Sequence, residues 1–235
     1  MDGQTVVVTG ATRGVGRAAA AEFAAQDADV VVCASGPETV EETAAALDAD
    51  TPGSVVGQRA DVRDEYDLER LMQTAAEHGT DGIDVVVANA AVFHGDPGDT
   101  PVTEESYSVF DDSFQTNVRG VFGTFNEAVP HLTDGARLLV PSGGVAREAK
   151  PGIGAYAVSK AGAEAVARQF HVDTDGDTAA FVLDLGLVAT ELTGEGSGRD
   201  PDRVSEMFTW AAGEADPDEH GGDVIDLRTW KRASR

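Results

Sequence analysis

The chain has 235 residues, of which 41% are apolar, a share that is sufficient for the core of one large α/β domain. Its 42 acidic and 17 basic residues give a formal net charge of −25, which repels phosphate backbones and argues against a nucleic-acid partner. The apolar runs are too short to span a bilayer, so we expect no membrane partner. No basic leader opens the chain, and the single cysteine, Cys33, excludes an internal disulfide, so we expect a cytoplasmic protein.

The first predicted element is a buried strand, Thr5 to Thr9, which leads through a glycine-rich turn into a helix-forming run, Arg17 to Ala25. The turn has the spacing Gly-x-x-x-Gly-x-Gly, with glycines at Gly10, Gly14 and Gly16. Such a turn lets the backbone approach a pyrophosphate closely, and the helix N-terminus offers it free N–H groups. We therefore predict a dinucleotide cradle, with an ordinary strand-turn-helix joint as the alternative.

The second predicted strand, Asp29 to Ala34, is followed by Ser35 and by a helix from Pro37 to Leu47. Sites for NAD usually end this strand with an acid that binds the ribose 2′-OH, and no acid stands here. Its absence admits a 2′-phosphate, with which Arg13 in the glycine turn can pair. We therefore favour NADP(H) over NAD(H), with a merely solvated Arg13 as the alternative.

Strands alternate with helices along the rest of the chain, which predicts a parallel sheet covered by helices on both faces. Ligands bind at the carboxyl ends of such strands, where Asp61, Asn89 and Ser142 stand. The further strands are predicted at Ser54 to Gln58, Ile83 to Ala88, Arg137 to Pro141, Thr178 to Asp184 and Val224 to Leu227. The further helices are predicted at Asp64 to His78, Thr103 to Pro130 (in one or two pieces) and Asp202 to Ala212.

The organisation is therefore a single doubly wound Rossmann-type domain of about seven strands over residues 1–235. A Gly/Asp-rich loop, Glu195 to Pro201, suggests a substrate lid within residues 190–213. Asn117 lies within the long helical stretch and is either a satisfied buried amide or part of a site. The histidines are scattered without metal-ligand spacing, so we expect no metal.

The helix that begins near Gly154 carries Tyr156 and, four residues later, Lys160, so the two side chains share one helix face. An ammonium beside a phenol lowers its pKa from about 10, which predicts a general acid/base tuned toward neutral pH. For an isolated match of this kind, a packed tyrosine and a solvated lysine are the alternative.

With these motifs in this order, the chain resembles the short-chain dehydrogenase/reductase family over nearly its whole length. The residues that carry the resemblance are TGATRGVG at Thr9 to Gly16, Asp61-Val62, Asn89-Ala90, Asn117, Ser142 and Tyr156-x-x-x-Lys160. The resemblance implies an enzyme that interconverts a carbonyl and an alcohol by hydride transfer. It implies that Tyr156 exchanges the proton, Lys160 holds the nicotinamide ribose, Ser142 orients the carbonyl and Asn117 maintains a kink and a proton relay. The cofactor-binding residues that it implies are Gly10, Thr12, Arg13, Gly14, Val15, Gly16, Ser35, Asp61, Val62, Asn89, Ala90, Lys160, Gly186, Val188 and Thr190.

Three departures from the family pattern bear on the site. Ala91 stands where the family usually has glycine, and Leu185 precedes Gly186 where it usually has proline. The family's serine lies about thirteen residues before the tyrosine, which lands on Gly143, and only a loop one residue longer restores Ser142. Two kinds of alternative therefore stay open: a reductase of a 3-oxoacyl thioester or a sugar on the same site, and an NADP-binding sensor without catalysis.

Two expectations concern the whole molecule. The helix after Tyr156 is rich in small residues and can pack closely on a partner helix, so we expect a homodimer or homotetramer. Aspartate and glutamate are spread over every segment, and in this respect the chain resembles the proteins of extreme halophiles. High salt screens such a surface, and we expect the fold to be lost in low salt.

Overall fold

The central sheet of the protein consists of parallel strands throughout the described residues. The structure is a computed structural model that describes residues 1–174, 176–194 and 198–234. The strands are β1 Thr5–Thr9, β2 Asp29–Ala34, β3 Val55–Arg59, β4 Ile83–Val87, β5 Leu132–Ser142, β6 Ala179–Asp184 and β7 Val224–Asp226. Their order across the sheet is β3-β2-β1-β4-β5-β6-β7, and every neighbouring pair is parallel. This confirms the predicted fold class, a doubly wound parallel sheet.

Helices cover both faces of this sheet. They are α1 Gly14–Ala25, α2 Pro37–Asp50, α3 Glu65–His78, α4 Tyr107–Phe114, α5 Gly120–Ala128, α6 Gly154–Asp173, α7 Glu206–Gly213, α8 Pro217–His220 and α9 Leu227–Ala233. One face packs against α1, α2, α7 and α9, and the other against α3, α5 and α6. Successive strand residues serve opposite faces, as Val6 and Val7 of β1 do, so the strands are apolar throughout.

The strand order reverses between β1 and β4, because the chain passes from β3 through α3 to the other side of β1. In open α/β sheets such a switch point opens a crevice at the carboxyl ends of the strands, where ligands bind. The turn after β1 and the segment after β4 are therefore the first places to look for a site.

The long helical stretch around Asn117 is built from two helices. Between α4 and α5 the chain makes a π-helical turn, Gln115–Arg119, and Asn117 is buried at its centre. The prediction allowed one or two pieces but could not place the joint. Single π turns are often associated with functional sites.

Other segments depart from the predicted bounds. Strand β5 begins at Leu132 rather than at Arg137, and the predicted helix from Asp202 to Ala212 is a 3₁₀ turn followed by α7. Helix α9 was not predicted: Asp226 caps it, and its Trp230 is buried in the core. The predicted lid includes residues 195–197, which lie outside the described residues. Within the described ranges, no helix is both long and apolar enough to cross a membrane.

Candidate active site

The glycine turn after β1 is packed against the segment that follows β4. Gly10 has a φ of +63°, and a Cβ there would lie 2.8 Å from the Cα of Ala90. A Cβ on Gly16 would lie 2.4 Å from the carbonyl oxygen of Gly10. The amide of Asn89 donates to the carbonyl oxygens of Thr9 and Gly10 at 2.9 and 3.0 Å. Glycine is therefore required at these positions, and Asn89 holds the turn in place.

The N-terminus of α1 is open for an anion. The N-cap residue Arg13 makes no capping side-chain bond, and no acid stands in the first turn. Helix α3 differs, because Asp64 accepts the N–H groups of Tyr66 and Asp67. The free N–H groups of α1 and the helix dipole suit a pyrophosphate, so the donor set fits a dinucleotide cofactor.

The segment after β6 borders the same turn. Gly14 has a φ of +54°, and a Cβ on it would lie 3.2 Å from the methyl group of Thr190. Arg13 forms an ion pair with Glu191 at 2.5 Å, in which both side chains are largely exposed. Val188 is buried and Gly186 is exposed, with its N–H donating to Asp184. The segment after β6 thus meets the glycine turn at Thr190 and Glu191, and Arg13 already has a partner.

A second arginine lies beside the end of β2, on the neighbouring strand. Arg59, the last residue of β3, pairs in register with Ala34. Its Nε donates to the carbonyl oxygen of Ser35 at 3.3 Å, and its Nη1 lies 2.6 Å from the buried carboxylate of Asp67. The sequence reasoning missed Arg59, although the last residues of adjacent parallel strands are neighbours.

Asp61 and Val62, the pair predicted to contact the adenine, differ in exposure. Asp61 accepts a bidentate bond from Arg63, which holds the pKa of that carboxyl below its usual value. Val62 is buried, and a Cβ on Gly120 would lie 2.9 Å from its methyl group. Val62 therefore packs against the start of α5, and the Asp61 side chain is the more accessible of the two.

Tyr156 lies in the first turn of α6, with its ring 5.0 Å from the ring of Phe93 between centroids. Burial raises the pKa of Tyr156 to about 12. The sequence predicts that Lys160 lowers this pKa, and that expectation is wrong, because desolvation of the phenolate raises the pKa. At pH 7 the phenol is neutral, which is the form that donates a proton.

Lys160 is buried one helical turn further along α6. Its ammonium donates to the carbonyl oxygen of Pro141 at 2.7 Å, which ties α6 to the end of β5. Burial lowers the pKa of Lys160 to about 8, and the nearby carboxylate of Glu164 opposes that shift. The lysine is not solvated, so this alternative for the Tyr/Lys pair is wrong.

Asn117 connects three segments through its amide. Its Oδ1 accepts the N–H of Val92 at 2.8 Å, and its Nδ2 donates to Val92 O and to Ser159 Oγ, both at 2.9 Å. Ser159 lies on α6 between Tyr156 and Lys160. Asn117 thus ties the π turn to α6 and to the segment after β4 that leads to Phe93.

Ser142 points to a buried carboxylate that the sequence reasoning missed. Its hydroxyl donates to Glu164 Oε1 at 2.6 Å, and Glu164 is only 2% exposed. Arg147 bridges Glu164 and Asp184 with its guanidinium. Among the described residues no hydrogen bond joins Ser142 to Tyr156. The available signal was the four-residue step from Lys160 to Glu164, which places both on one face of α6.

Gly143 follows Ser142 in extended backbone. A Cβ on it would meet only the carbonyl oxygen of Gly186, at 3.6 Å, which is ordinary contact. A serine would therefore fit at this position.

The sequence profile described as "short chain dehydrogenase" matches residues 4–199. The chain belongs to the short-chain dehydrogenase/reductase family. Its doubly wound parallel sheet is the Rossmann fold.

Relatives of this short-chain dehydrogenase/reductase are found among fungal, plant and archaeal proteins. It is 35% identical to the short chain dehydrogenase/reductase AacuN of Aspergillus aculeatus over 73% of this chain and 63% of that protein. It is 29% identical to the chloroplastic NADPH-dependent aldehyde reductase 2 of Arabidopsis thaliana, over 81% of this chain and 74% of that protein. The alcohol dehydrogenase of Thermococcus sibiricus, solved with 5-hydroxy-NADP, superposes with a TM-score of 0.81 at 25% identity, over 95% of both chains. The match thus spans less than two thirds of the length of AacuN.

A cavity of about 470 Å³ opens beside the N-terminal end of α6 in this short-chain dehydrogenase/reductase. The residues that line it are His94, Gly95, Asp99, Thr100, Pro101, Glu104, Glu105, Ser106 and Val109. Most of them belong to the segment between β4 and α4, on which Phe93 also lies. In the part of the chain that the structure describes, no cluster of His, Cys, Asp or Glu is arranged to hold a metal ion.

Proposed function

We propose that the protein reduces a small-molecule ketone or aldehyde to an alcohol with NADP(H), and that Tyr156 supplies the proton. The observation that carries the proposal is the pair on α6. Tyr156 lies one helical turn from the buried Lys160, whose ammonium binds the end of β5 at 2.7 Å. That strand end lies on the same edge of the sheet as the glycine turn, where a dinucleotide fits.

When bound, the nicotinamide would supply the hydride that the carbonyl carbon accepts. The hydroxyl of Tyr156 gives its proton to the carbonyl oxygen, which becomes the hydroxyl of the alcohol. The ammonium of Lys160 then stabilises the phenolate that remains on Tyr156. Burial raises the pKa of Tyr156 to about 12, so at pH 7 the group is present in the form that donates a proton.

Several features support NADP(H) over NAD(H). No acid stands between the end of β2 and Glu38, and Arg59 and Arg13 are cationic groups near the adenosine end of the proposed crevice. The Arabidopsis relative is named as NADPH-dependent, and the Thermococcus enzyme was solved with 5-hydroxy-NADP. We propose that the remaining cofactor contacts come from Gly10, Thr12, Gly14, Val15, Gly16, Ser35, Asp61, Val62, Asn89, Ala90, Lys160, Gly186, Val188 and Thr190.

The roles of Asn117 and Ser142 follow from their bonds. We propose that Asn117 keeps α6 in register with the segment after β4, because its amide binds Val92 and Ser159. The Ser142 hydroxyl has one proton, and it donates this proton in a hydrogen bond to Glu164 Oε1. Ser142 can therefore donate to a substrate carbonyl only by giving up that bond.

The proposal is tested by NADPH oxidation against a panel of ketones, aldehydes, 3-oxoacyl thioesters and keto sugars in high salt. Tyr156→Phe is the matched variant, because it keeps the ring against Phe93 and removes the proton. We expect kcat to fall at least about a hundredfold in this variant. NADPH binding, followed by fluorescence titration, should be unchanged. Equal turnover by wild type and Tyr156→Phe would refute the mechanism.

A cofactor-binding sensor without catalysis is the second candidate, and the bond between Ser142 and Glu164 favours it. A sensor would bind NADPH and reduce nothing in the panel. Ser142→Ala decides what the hydroxyl does in an active enzyme. A loss of kcat by about a hundredfold or more indicates a carbonyl ligand, whereas a small loss indicates a residue that only packs and positions.

We also propose a homodimer or homotetramer in the cytoplasm. A groove of about 390 Å³ between the π turn, α5 and α6 is lined mainly by apolar side chains, among them Val118, Phe122 and Val166. The ring of Phe122 is half exposed, which supports burial against a second copy. The cytoplasmic location is supported by Cys33, a free and buried thiol suited to a reducing compartment.

A further inference from the structure

We propose that Glu105 is a positioning residue for the proton donor: its carboxylate fixes the first turn of α6 and with it Tyr156. The inference rests on the proposed function, because it takes Tyr156 as the group that transfers the proton. Glu105 itself lies on the segment between β4 and α4, far from α6 in sequence.

The contact is a helix cap supplied by another part of the chain. The N–H of Ala155 donates to Glu105 Oε2 at 2.5 Å, whereas the N-cap residue, Ile153, offers no capping side chain. Gly154 has a φ of +47°, and a Cβ on it would lie 2.4 Å from Glu105 Oε1. Glycine at 154 thus leaves room for the carboxylate. A negative group at this helix end is favoured by the helix dipole and by a charge-assisted bond.

Further bonds join the same two segments one turn before the cap. The N–H groups of Gly98 and Thr100 donate to the carbonyl oxygen of Gly152 at 2.9 and 3.2 Å. The hydroxyl of Thr100 donates to the same oxygen at 2.8 Å. A Cβ on Gly152 would lie 2.0 Å from the carbonyl oxygen of Gly98, so the two backbones touch. Residues 98–105 and 152–155 therefore form one clamp.

The clamp ends next to the proton donor. Tyr156 follows Ala155 directly, and its ring packs on Phe93 from the same segment, at 5.0 Å between centroids. This segment also lines the cavity of about 470 Å³. A proton donor must lie within hydrogen-bond reach of the substrate oxygen, and small displacements of the donor reduce the rate strongly. Glu105 therefore links the cavity wall to the position of Tyr156.

Three variants of the full-length protein test this role in high salt. Glu105→Ala removes the cap, and Glu105→Gln keeps an oxygen that can accept the Ala155 N–H. Asp111→Ala is the matched control, because it also removes one exposed carboxylate, lies on α4 outside the cavity lining, and makes no side-chain bond among the described residues. The readouts are kcat, the KM for the carbonyl substrate, NADPH affinity, and amide hydrogen exchange in residues 153–158.

For Glu105→Ala we expect kcat to fall by about tenfold or more, with NADPH affinity within about twofold of wild type. Amide exchange in residues 153–158 should be faster. Glu105→Gln should recover most of kcat, and Asp111→Ala should behave as wild type. Should Glu105→Ala fail to fold, Thr100→Val weakens the same clamp through one hydroxyl, and a smaller loss of kcat is expected.

Unchanged kcat in Glu105→Ala, or an equal loss in Asp111→Ala, overturns the proposal. If amide hydrogen exchange in residues 153–158 is the same in Glu105→Ala as in wild type, the clamp does not hold this turn, whatever the activity. A wild-type protein that binds NADPH but reduces no carbonyl removes the proposed function, and the role of Glu105 in proton transfer falls with it. In that case the exchange measurement separates the two failures, because it reports the clamp without turnover.

Discussion

At the scale of single residues, burial acts on the two central groups of the site in opposite directions. It raises the pKa of Tyr156 to about 12 and lowers the pKa of Lys160 to about 8, because it disfavours the charged form of each. Glu164, one turn beyond Lys160, opposes the second shift. Below about pH 8 the site therefore holds a neutral phenol one helical turn from a charged lysine.

The pH dependence of reduction follows from these shifts. Below about pH 8 Lys160 is protonated and can stabilise the phenolate, and above it the charge is lost while Tyr156 stays protonated. We expect kcat for reduction at saturating NADPH to be constant at lower pH and to decline above about pH 8. Glu164→Gln removes the charge that raises the pKa of Lys160, so the decline should move to lower pH. A decline at the same pH in both proteins would contradict this assignment.

Cofactor preference is the second property decided by single side chains. Arg59 is held beside Ser35 by Asp67, whereas the exposed Arg13 pairs with Glu191 across the crevice. A guanidinium fixed in place loses little freedom when it binds a phosphate. We expect Arg59→Ala to weaken NADPH binding by about tenfold and to leave NADH binding unchanged.

Arg13→Ala is the comparison for that experiment, because it tests the arginine that the sequence favoured. Titration of both variants with NADPH and with NADH, monitored by cofactor fluorescence, separates a 2′-phosphate contact from a general loss of binding. Equal losses for NADPH and NADH in Arg59→Ala would show that Arg59 supports the loop and does not bind the phosphate.

At the scale of elements, the strands were predictable wherever one uninterrupted apolar run ends in a turn. β1 and β2 are valine-rich runs of this kind, and their predicted and observed bounds agree. β5 begins earlier than predicted because Asp134 and Gly135 interrupt its apolar pattern. Helix α9 was missed because it is short and depends on the Asp226 cap and on the burial of Trp230.

Only the part of the site that lies in short sequence motifs could be predicted. Tyr156, Lys160 and the glycine turn belong to such motifs, in which the spacing of the residues indicates the chemistry. Glu105 and Arg59 act through contacts made across the fold, and no local pattern marks them. The one local sign of Glu164 is its four-residue step from Lys160, and its bond to Ser142 is again a contact across the fold. The π turn at Asn117 likewise depends on tertiary bonds, because its sequence reads as ordinary helix.

The packing of α6 shows what part of its small-residue content does within the chain. Ala163 and Ala167 are fully buried against the sheet, and a Cβ on Gly162 would lie 2.9 Å from Val118 of the π turn. These three small residues thus serve contacts within the chain, whereas Ala165 is exposed. The apolar groove beside them, around Phe122, is the surface that we propose for a second copy.

We expect Phe122→Asp to dissociate the oligomer, because it places a charge in that groove. Light scattering in high salt measures the molecular mass. Tyr66→Asp is the control, because Tyr66 is an exposed aromatic residue on α3, outside the groove. A monomeric wild type, or an oligomer unaffected by Phe122→Asp, would refute the assignment of this face.

At the scale of the whole molecule, the dominant quantity is the net charge of −25. Helix α2 illustrates its distribution: the exposed acids Glu38, Glu41 and Glu42 lie on a helix that has no basic residue. Like charges on a compact surface repel each other more than in an expanded chain, so they favour unfolding until counter-ions screen them. The Debye length falls from about 10 Å at 0.1 M salt to about 3 Å at 1 M.

Stability should therefore rise steeply with salt. We expect the midpoint of thermal unfolding, followed by circular dichroism, to increase from 0.1 to about 1 M sodium chloride, with most of the screening effect reached there. Replacing Glu38, Glu41 and Glu42 together by glutamine should lower the salt concentration needed for folding, because it removes three like charges from one exposed face. Glutamine keeps the size and the helix propensity of glutamate, so the variant isolates charge from shape. A fully folded wild type in dilute buffer, or a triple variant with an unchanged salt requirement, would show that self-repulsion does not limit this fold.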